Sequence, residues 1–238
     1  MIRPLNIAGR LVQSVADIVF PRVCAMCGCS LTRGEDMMCL HCRSSLPETR
    51  MHRMSPNSME EKLFGTVPFE RAAAYCHYDR GAPYARLIQD AKYRGRPAIM
   101  RWLARRYALG LRADGFFDGI DAVMPVPMHF LKKMKRGFNQ AEWVARGVAQ
   151  ATGLPVIDNL RAVRGHATQT RRGSYARWEN SRELYKTVRP GEIDGLHLLI
   201  VDDVVTTGAT IIACAECVRQ ASPTVRLSAL TIASARMS

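Results

Sequence analysis

A continuous apolar run over Leu198–Val201 ends in two adjacent carboxylates, Asp202 and Asp203. A small, hydroxyl-rich turn over 206–210 follows, and 211–220 then has the composition of a helix. The apolar run predicts a strand that is buried on both faces, as in the centre of a parallel sheet. Ligands of such sheets bind at the carboxyl ends of the strands, where the two acids emerge. The stretch therefore predicts a strand, an acidic pair, a loop and a helix around one ligand site.

Further hydrophobic patterns alternate between the strand and helix periods along the rest of the chain. The predicted strands are Arg71–Tyr78, Ile120–Met124, Ile157–Val163, Leu184–Val188 and Val225–Ala233. The predicted helices are Gly81–Tyr93, Pro97–Leu111, Phe138–Thr152, Tyr175–Glu183 and Ile211–Gln220. This alternation predicts an α/β fold with a doubly wound, mainly parallel sheet.

The turn after the acidic pair has the composition of an anion-binding loop. It consists of Thr206, Thr207, Gly208, Ala209 and Thr210, and is called the phosphate loop below. Its N–H groups open a helix and can point at an anion, while the glycine lets the backbone approach closely. The two acids would repel a phosphate, so we expect them to accept hydrogen bonds from sugar hydroxyls. A ribose 5-phosphate satisfies both requirements. The simpler alternative is that the stretch is only a buried strand followed by a helix cap, with no ligand.

A second loop, after the strand that ends at Met124, is a candidate pyrophosphate site. It contains Val126, Pro127, Met128 and His129, and several cations follow it, among them Arg136. The prolines restrict the backbone, and the cations would neutralise the charge of a diphosphate. A solvated basic loop is the alternative. Residues 126–129 are called the pyrophosphate loop below.

The polar, acid-free segment 164–174 suits a mobile loop that closes over an anionic substrate, and a plain surface loop is equally consistent with its composition. Its candidate contact residues are Thr168, Gln169, Arg171 and Arg172.

Two C-x-x-C pairs near the N-terminus are separated by eleven residues. Cys24, Cys27, Cys39 and Cys42 can thus present four thiolates to a structural Zn²⁺, with His41 and Cys29 as possible replacements. Disulfides are the alternative, which a reducing compartment disfavours. The predicted organisation is an amphipathic helix at 1–20, a zinc ribbon at 21–50, a linker at 51–66 and the α/β domain at 67–238.

The charge balance adds a preference for anionic partners. The 238 residues contain 34 Lys and Arg against 21 Asp and Glu, a formal net charge of +13. Such an excess favours nucleic acid, polyphosphate substrates or an anionic membrane surface. No stretch has the length and apolarity of a transmembrane helix, and the N-terminus lacks the features of a signal peptide. We therefore expect a cytoplasmic protein, and a contact of the N-terminal helix with the inner face of the cytoplasmic membrane stays open.

Three motifs occur in one order: the four-cysteine module, Pro-Val-Pro followed by Lys-Arg-Gly-Phe-Asn-Gln-Ala-Glu over 135–142, and Val-Asp-Asp-Val with its Thr-Thr-Gly-Ala-Thr loop. Together they resemble the ComF family of competence-related proteins over nearly the whole chain. The last motif resembles the signature for 5-phosphoribosyl 1-pyrophosphate (PRPP) of type I phosphoribosyltransferases. A departure is Leu184-Tyr185, where an Ala-Phe pair is expected. The resemblance implies a phosphoribosyltransferase fold after a zinc ribbon, PRPP binding with Mg²⁺, and a link to DNA uptake in natural transformation.

Two functions follow as expectations. The first is a phosphoribosyltransferase of PRPP whose acceptor and general base the sequence does not identify. The second is a non-catalytic protein that binds single-stranded DNA for the DNA-uptake machinery, with Trp102, Trp143 or Trp178 available for base stacking. In that case PRPP or a nucleotide phosphate would act as an effector.

Overall fold

The computed structural model describes residues 21–63, 65, 67–79, 81–163 and 184–236. The chain divides into two compact units, with the boundary between Leu46 and Pro47. In the described part of the first unit, Val23 and Ser30 form an antiparallel bridge, and helix α1 spans Leu40–Ser44. The helix expected at 1–20 lies outside the described residues.

The second unit is built on a parallel four-stranded sheet with the strand order β1-β6-β5-β2. A separate pair, β3 and β4, is antiparallel. The strands are β1 (Arg71–Tyr78), β2 (Ala122–Pro125), β3 (Leu160–Ala162), β4 (Tyr185–Thr187), β5 (His197–Val205) and β6 (Arg226–Ala235). The side chains of Leu198–Val201 in β5 are completely buried, as expected for a strand covered on both faces. The doubly wound fold class is confirmed.

Six helices follow α1 in the described residues. They are α2 (Ser58–Leu63), α3 (Pro83–Tyr93), α4 (Ala98–Ala113), α5 (Phe130–Arg136), α6 (Gln140–Thr152) and α7 (Ala209–Ala221), with short 3₁₀ turns at Met51–Arg53 and Pro190–Glu192. The predicted strands and helices lie within a few residues of these bounds, except the helix expected at 175–183, which is outside the described residues. None of the helices in the described ranges combines the length and the apolarity that crossing a bilayer requires.

The segment expected to be a linker, 51–66, is instead ordered where it is described. Asn57 is buried and caps α2, since its side-chain oxygen accepts hydrogen bonds from the N–H groups of Met59 and Glu60. Its amide nitrogen donates to the Ala72 carbonyl of β1 at 3.0 Å. Met59 and Leu63 are buried to about the same degree as the strands. The sequence did not predict this helix, because the segment is mostly polar and only two apolar side chains of the helix are buried.

Helices α4 and α6 cross at Gly147, and the crossing depends on the absence of a side chain. A Cβ at Gly147 would lie 2.3 Å from the Arg101 carbonyl oxygen and 2.7 Å from the Ala104 Cβ. Since backbone atoms of a packed helix cannot move aside easily, the two helices would have to separate. Gly110 in α4 offers a matched comparison because a Cβ there meets nothing within 4 Å.

We therefore expect Gly147→Ala to destabilise the protein by about 1–3 kcal/mol through overpacking. Gly110→Ala should stabilise it by up to about 1 kcal/mol, because alanine has the higher helix propensity. Denaturant unfolding of both variants measures the two effects. An equal change of stability in both would contradict the close crossing.

Candidate functional site

The acidic pair lies near the carboxyl end of β5, which continues to Val205. Asp203 is buried, and Asp202 is partly buried. The Asp203 N–H donates to Oδ1 of Asp202 at 2.8 Å. The Nζ of Lys92, in the last turn of α3, lies 2.9 Å from Oδ2 of Asp203. One of the two acids is therefore paired with a cation that the sequence did not single out for this role.

Asp202 has an unusual protonation behaviour for an aspartate. Burial raises the pKa of Asp202 to about 7, and the neighbouring Asp203 carboxylate adds to the rise. The Asp203 N–H and the Lys92 ammonium act against it. The raised pKa favours the protonated form of Asp202, which can donate as well as accept a hydrogen bond with a sugar hydroxyl.

The phosphate loop follows β5 directly and forms the start of α7. Gly208 has a φ of 84° and is buried, and a Cβ at this position would lie 3.0 Å from the Lys62 carbonyl oxygen and 3.1 Å from Cδ2 of Leu63. Glycine is thus needed both for the backbone conformation and for the close contact with α2. Thr206 and Thr207 are exposed, and the first intrahelical bond runs from Ile212 N–H to the Gly208 carbonyl. The first-turn N–H groups of α7 have no acceptor within the helix and can serve an anion.

The pyrophosphate loop joins β2 to α5 beside the acidic pair. Pro125 at the end of β2 is paired with Val201 in β5, and the Val126 N–H donates to the Val201 carbonyl at 2.9 Å. The loop therefore begins next to Asp202. Asn139, the N-cap of α6, is buried and donates through Nδ2 to the Val126 carbonyl at 2.9 Å while its oxygen accepts from the Ala141 N–H. This asparagine holds the loop against the helix.

Arg136 lies at the end of α5 and contacts Gln140 and Tyr93. Its Nη1 donates to Oε1 of Gln140 at 2.8 Å, and its guanidinium carbon lies 5.2 Å from the centre of the Tyr93 ring. Gln140 is almost completely buried, and its Nε2 has no hydrogen-bond partner among the described residues. The structure thus brings together the acidic pair, the phosphate loop and the pyrophosphate loop at one edge of the sheet.

Sequence reasoning missed Lys92, Asn139 and Gln140 as site residues. The last two belong to the Arg-Gly-Phe-Asn-Gln string, and an Asn directly before a helix was a readable capping signal. Lys92 carried no local signal beyond a generally basic helix.

The four candidate residues of the loop at 164–174 and Trp178 lie outside the described residues. Trp143 has the guanidinium carbons of Arg101 and Arg146 at 5.5 and 5.1 Å from its ring.

The first unit contains a compact cysteine cluster. The sulfur atoms of Cys24, Cys27, Cys29 and Cys39 all lie within 4.8 Å of one another. Cys42 also belongs to the cluster, because its N–H donates to the Cys39 sulfur at 3.4 Å and its buried thiol interacts with those of Cys24, Cys27 and Cys39. Five thiols therefore lie around one centre, whereas a tetrahedral metal ion would bind only four of them.

The backbone around this cluster favours thiolates at two of the cysteines. Burial acts to raise the pKa of Cys24, but N–H groups directed at its sulfur outweigh this and bring the value to about 6. The pKa of Cys27 is lowered chiefly by the N–H of Cys29. Hydrogen bonds to neighbouring sulfurs raise the pKa of Cys29 to about 12, and burial raises that of Cys42. Thiolates are the ligand form of cysteine, so the donor set fits a divalent metal cation.

The family model "Phosphoribosyl transferase domain" matches residues 103–236. The "DNA utilization protein YhgH" of Salmonella typhimurium is 29% identical over 153 residues, which cover 63% of this chain and 66% of the relative. "Competence protein F" of Haemophilus influenzae is 28% identical over 179 residues, covering 73% of this chain and 74% of the relative.

The chain is also similar to solved structures. Glutamine PRPP amidotransferase from B. subtilis is 22% identical with a TM-score of 0.40, and the match covers 60% of this chain and 30% of that one. The chain thus spans just under two thirds of the Salmonella relative and less than one third of the amidotransferase. The names of the two relatives and the family match confirm the resemblance to competence-related, phosphoribosyltransferase-like proteins.

Proposed function

Because the chain belongs to the phosphoribosyl transferase domain family, we propose that its site binds PRPP together with Mg²⁺. The supporting observation is the placement of the acidic pair, the phosphate loop and the pyrophosphate loop at one edge of the parallel sheet. In this proposal Asp202 and Asp203 hold the ribose hydroxyls, residues 206–210 hold the 5-phosphate, and residues 126–129 with Arg136 hold the diphosphate. Mg²⁺ prefers few protein ligands and would bind mainly through oxygens of PRPP.

The chemistry of such a site is transfer of the ribosyl group. Departure of pyrophosphate builds positive charge on the anomeric carbon, which an acceptor nucleophile then attacks. The protein residues contribute by positioning the donor and by stabilising the negative charge of the leaving group. Arg136 and the backbone of the pyrophosphate loop are the groups that we assign to the leaving group.

Calorimetry with PRPP and Mg²⁺ tests the proposal. We expect wild type to bind, and Asp202→Asn/Asp203→Asn to bind at least about 100-fold more weakly, since hydrogen bonds to charged groups contribute ~1.5–3 kcal/mol each. The control is Asp158→Asn/Glu192→Gln, which removes the same charge from side chains that are 71% and 56% exposed. Wild-type protein that is folded and metal-loaded yet does not bind PRPP would refute the proposal, as would equal affinities of the two double variants.

We also propose Zn²⁺ as the ion of the cysteine cluster, held by Cys24, Cys27, Cys39 and Cys42. Thiolate ligands favour zinc over hard cations such as Mg²⁺ and Ca²⁺, and four protein ligands make the site structural. Cys42 is buried, whereas Cys29 is exposed, so Cys42 is the better protected fourth ligand.

Elemental analysis after dialysis should therefore give one zinc per chain for wild type and for Cys29→Ser, but well below one for Cys42→Ser. Cys217→Ser in α7 is the control and should keep its zinc. The reverse result, with loss only in Cys29→Ser, would assign the fourth ligand to Cys29. Wild type without zinc would contradict the metal assignment itself.

A second candidate function, binding of single-stranded DNA, rests on the surface of α5. This short helix exposes three large apolar side chains, Phe130, Leu131 and Met134, at about two thirds of their area. Lys132, Lys133 and Lys135 lie among them. Cations that follow a phosphate backbone, beside an aromatic ring such as that of Phe130 on which a base can stack, are typical of single-strand binding sites. The relatives' names concern competence and DNA utilization, and a DNA-uptake role would place this chain in the cytoplasm, at the inner face of the membrane.

Binding of a labelled single-stranded oligonucleotide at several salt concentrations tests this candidate. We expect Lys132→Gln/Lys135→Gln to reduce the slope of log affinity against log salt by roughly 1.4, or about 0.7 per lost phosphate contact. The control, Arg53→Gln/Arg226→Gln, removes two exposed cations elsewhere and should leave the slope unchanged. No binding by wild type near physiological salt, or equal effects of both variants, would exclude this surface.

A further inference from the structure

Lys92 is a charged residue inside the site that none of the motifs includes. It lies in α3, upstream of residues 103–236 that match the family model. Its Nζ is 2.9 Å from Oδ2 of Asp203, and the two side chains are only 21% and 11% exposed. A lysine that is held this close to a ribose acid sits where the sugar of a ligand would bind.

The residue after Lys92 connects the same helix end to the other half of the site. The ring of Tyr93 lies 5.2 Å from the guanidinium carbon of Arg136, the cation assigned to the diphosphate. Two consecutive residues of α3, Lys92 and Tyr93, thus contact Asp203 and Arg136 respectively. The end of this helix therefore spans the junction between the ribose and the diphosphate.

The same junction contains an unsatisfied buried donor. Oε1 of Gln140 accepts from Arg136, which leaves Nε2 as the donor, and this buried atom has no partner in the described part of the chain. A buried donor without an acceptor costs about 1–3 kcal/mol, so natural sites seldom keep one unless a ligand or water oxygen satisfies it. The orphan amide beside Arg136 points independently to an oxygen-rich ligand group here.

The stereochemistry of ribose connects these observations. The diphosphate of PRPP is attached at C1, and the hydroxyl nearest to it is on the adjacent carbon, C2. If Asp203 accepts a hydrogen bond from that diol, a cation paired with Asp203 is also close to the first phosphate on C1. Without the lysine, two carboxylates would face the diphosphate and repel it.

We propose that Lys92 determines specificity at this site by bridging Asp203 and the C1 diphosphate, so that the protein prefers PRPP over ribose 5-phosphate. The inference rests on the proposed binding of PRPP. In this inference a residue of α3 recognises the negative charge of the C1 diphosphate, which PRPP has and ribose 5-phosphate lacks. If the ion pair were purely structural, its removal would change the affinities for both ligands equally, because it would act only through the orientation of the Asp203 side chain.

The test compares the affinities for PRPP and for ribose 5-phosphate at one Mg²⁺ concentration, by calorimetry. We expect Lys92→Met to weaken PRPP binding roughly 10- to 100-fold and ribose 5-phosphate binding less than about threefold, because the lost contact is charge-assisted. Lys92→Arg keeps the cation and should retain the preference for PRPP. Arg94→Met is the control, since Arg94 is 76% exposed and pairs with Asp90 two residues from Lys92, and it should bind both ligands as wild type does.

The outcomes separate this inference from the proposed function. Equal weakening of both ligands by Lys92→Met, or no weakening of either, overturns the specificity role while PRPP binding by wild type stands. Wild type that binds neither ligand overturns the proposed function and this inference together. If Lys92→Met does not fold, judged by its thermal transition, Lys92→Gln gives the same comparison with a polar, uncharged side chain.

Discussion

The parallel pairing of β2 with β5 is the constraint on which the candidate site depends. Because Pro125 is in register with Val201, the loops that follow these strands start side by side. The hydrogen bond from Val126 to the Val201 carbonyl extends the pairing by one residue past β2. Parallel strands present their carboxyl ends at the same edge, so the acids and both loops converge there.

Residues outside the motifs support this edge from two sides. On one side, α2 packs so closely on Gly208 that a Cβ would contact the Lys62 backbone. On the other side, Asn139 ties the pyrophosphate loop to the first turn of α6. Each support is a buried helix end or cap, and such contacts hold a loop more rigidly than its own sequence would. A preorganised loop loses less entropy when an anion binds.

The electrostatics of the site combine groups of both signs within a small volume. Two adjacent carboxylates in a partly buried position would disfavour ionisation, which the raised pKa of Asp202 reflects. Lys92 offsets part of this charge directly, and Arg136 adds a second cation near the proposed position of the diphosphate. A ligand with a neutral diol between two anionic ends matches this pattern, since the acids face hydroxyls and the cations and N–H groups face phosphates. The net charge of +13 over the whole chain adds a general attraction for such anions.

The sequence by itself determined the fold class, the strand, acids, loop and helix over 198–220, and a cluster of cysteines with the spacing of metal ligands. These features depend on periodicity and spacing within short segments, which the chain displays directly. Only the tertiary structure revealed the pairing of Lys92 with Asp203, the packing of α2 on Gly208 and the approach of Cys29 to the cluster. Lys92 and Gly208 each meet partners more than one hundred residues away, and the identity of such partners is decided by how the helices pack on the sheet. The local sequence pattern does not predict that packing, because many different helix faces of the same composition could pack on the sheet equally well.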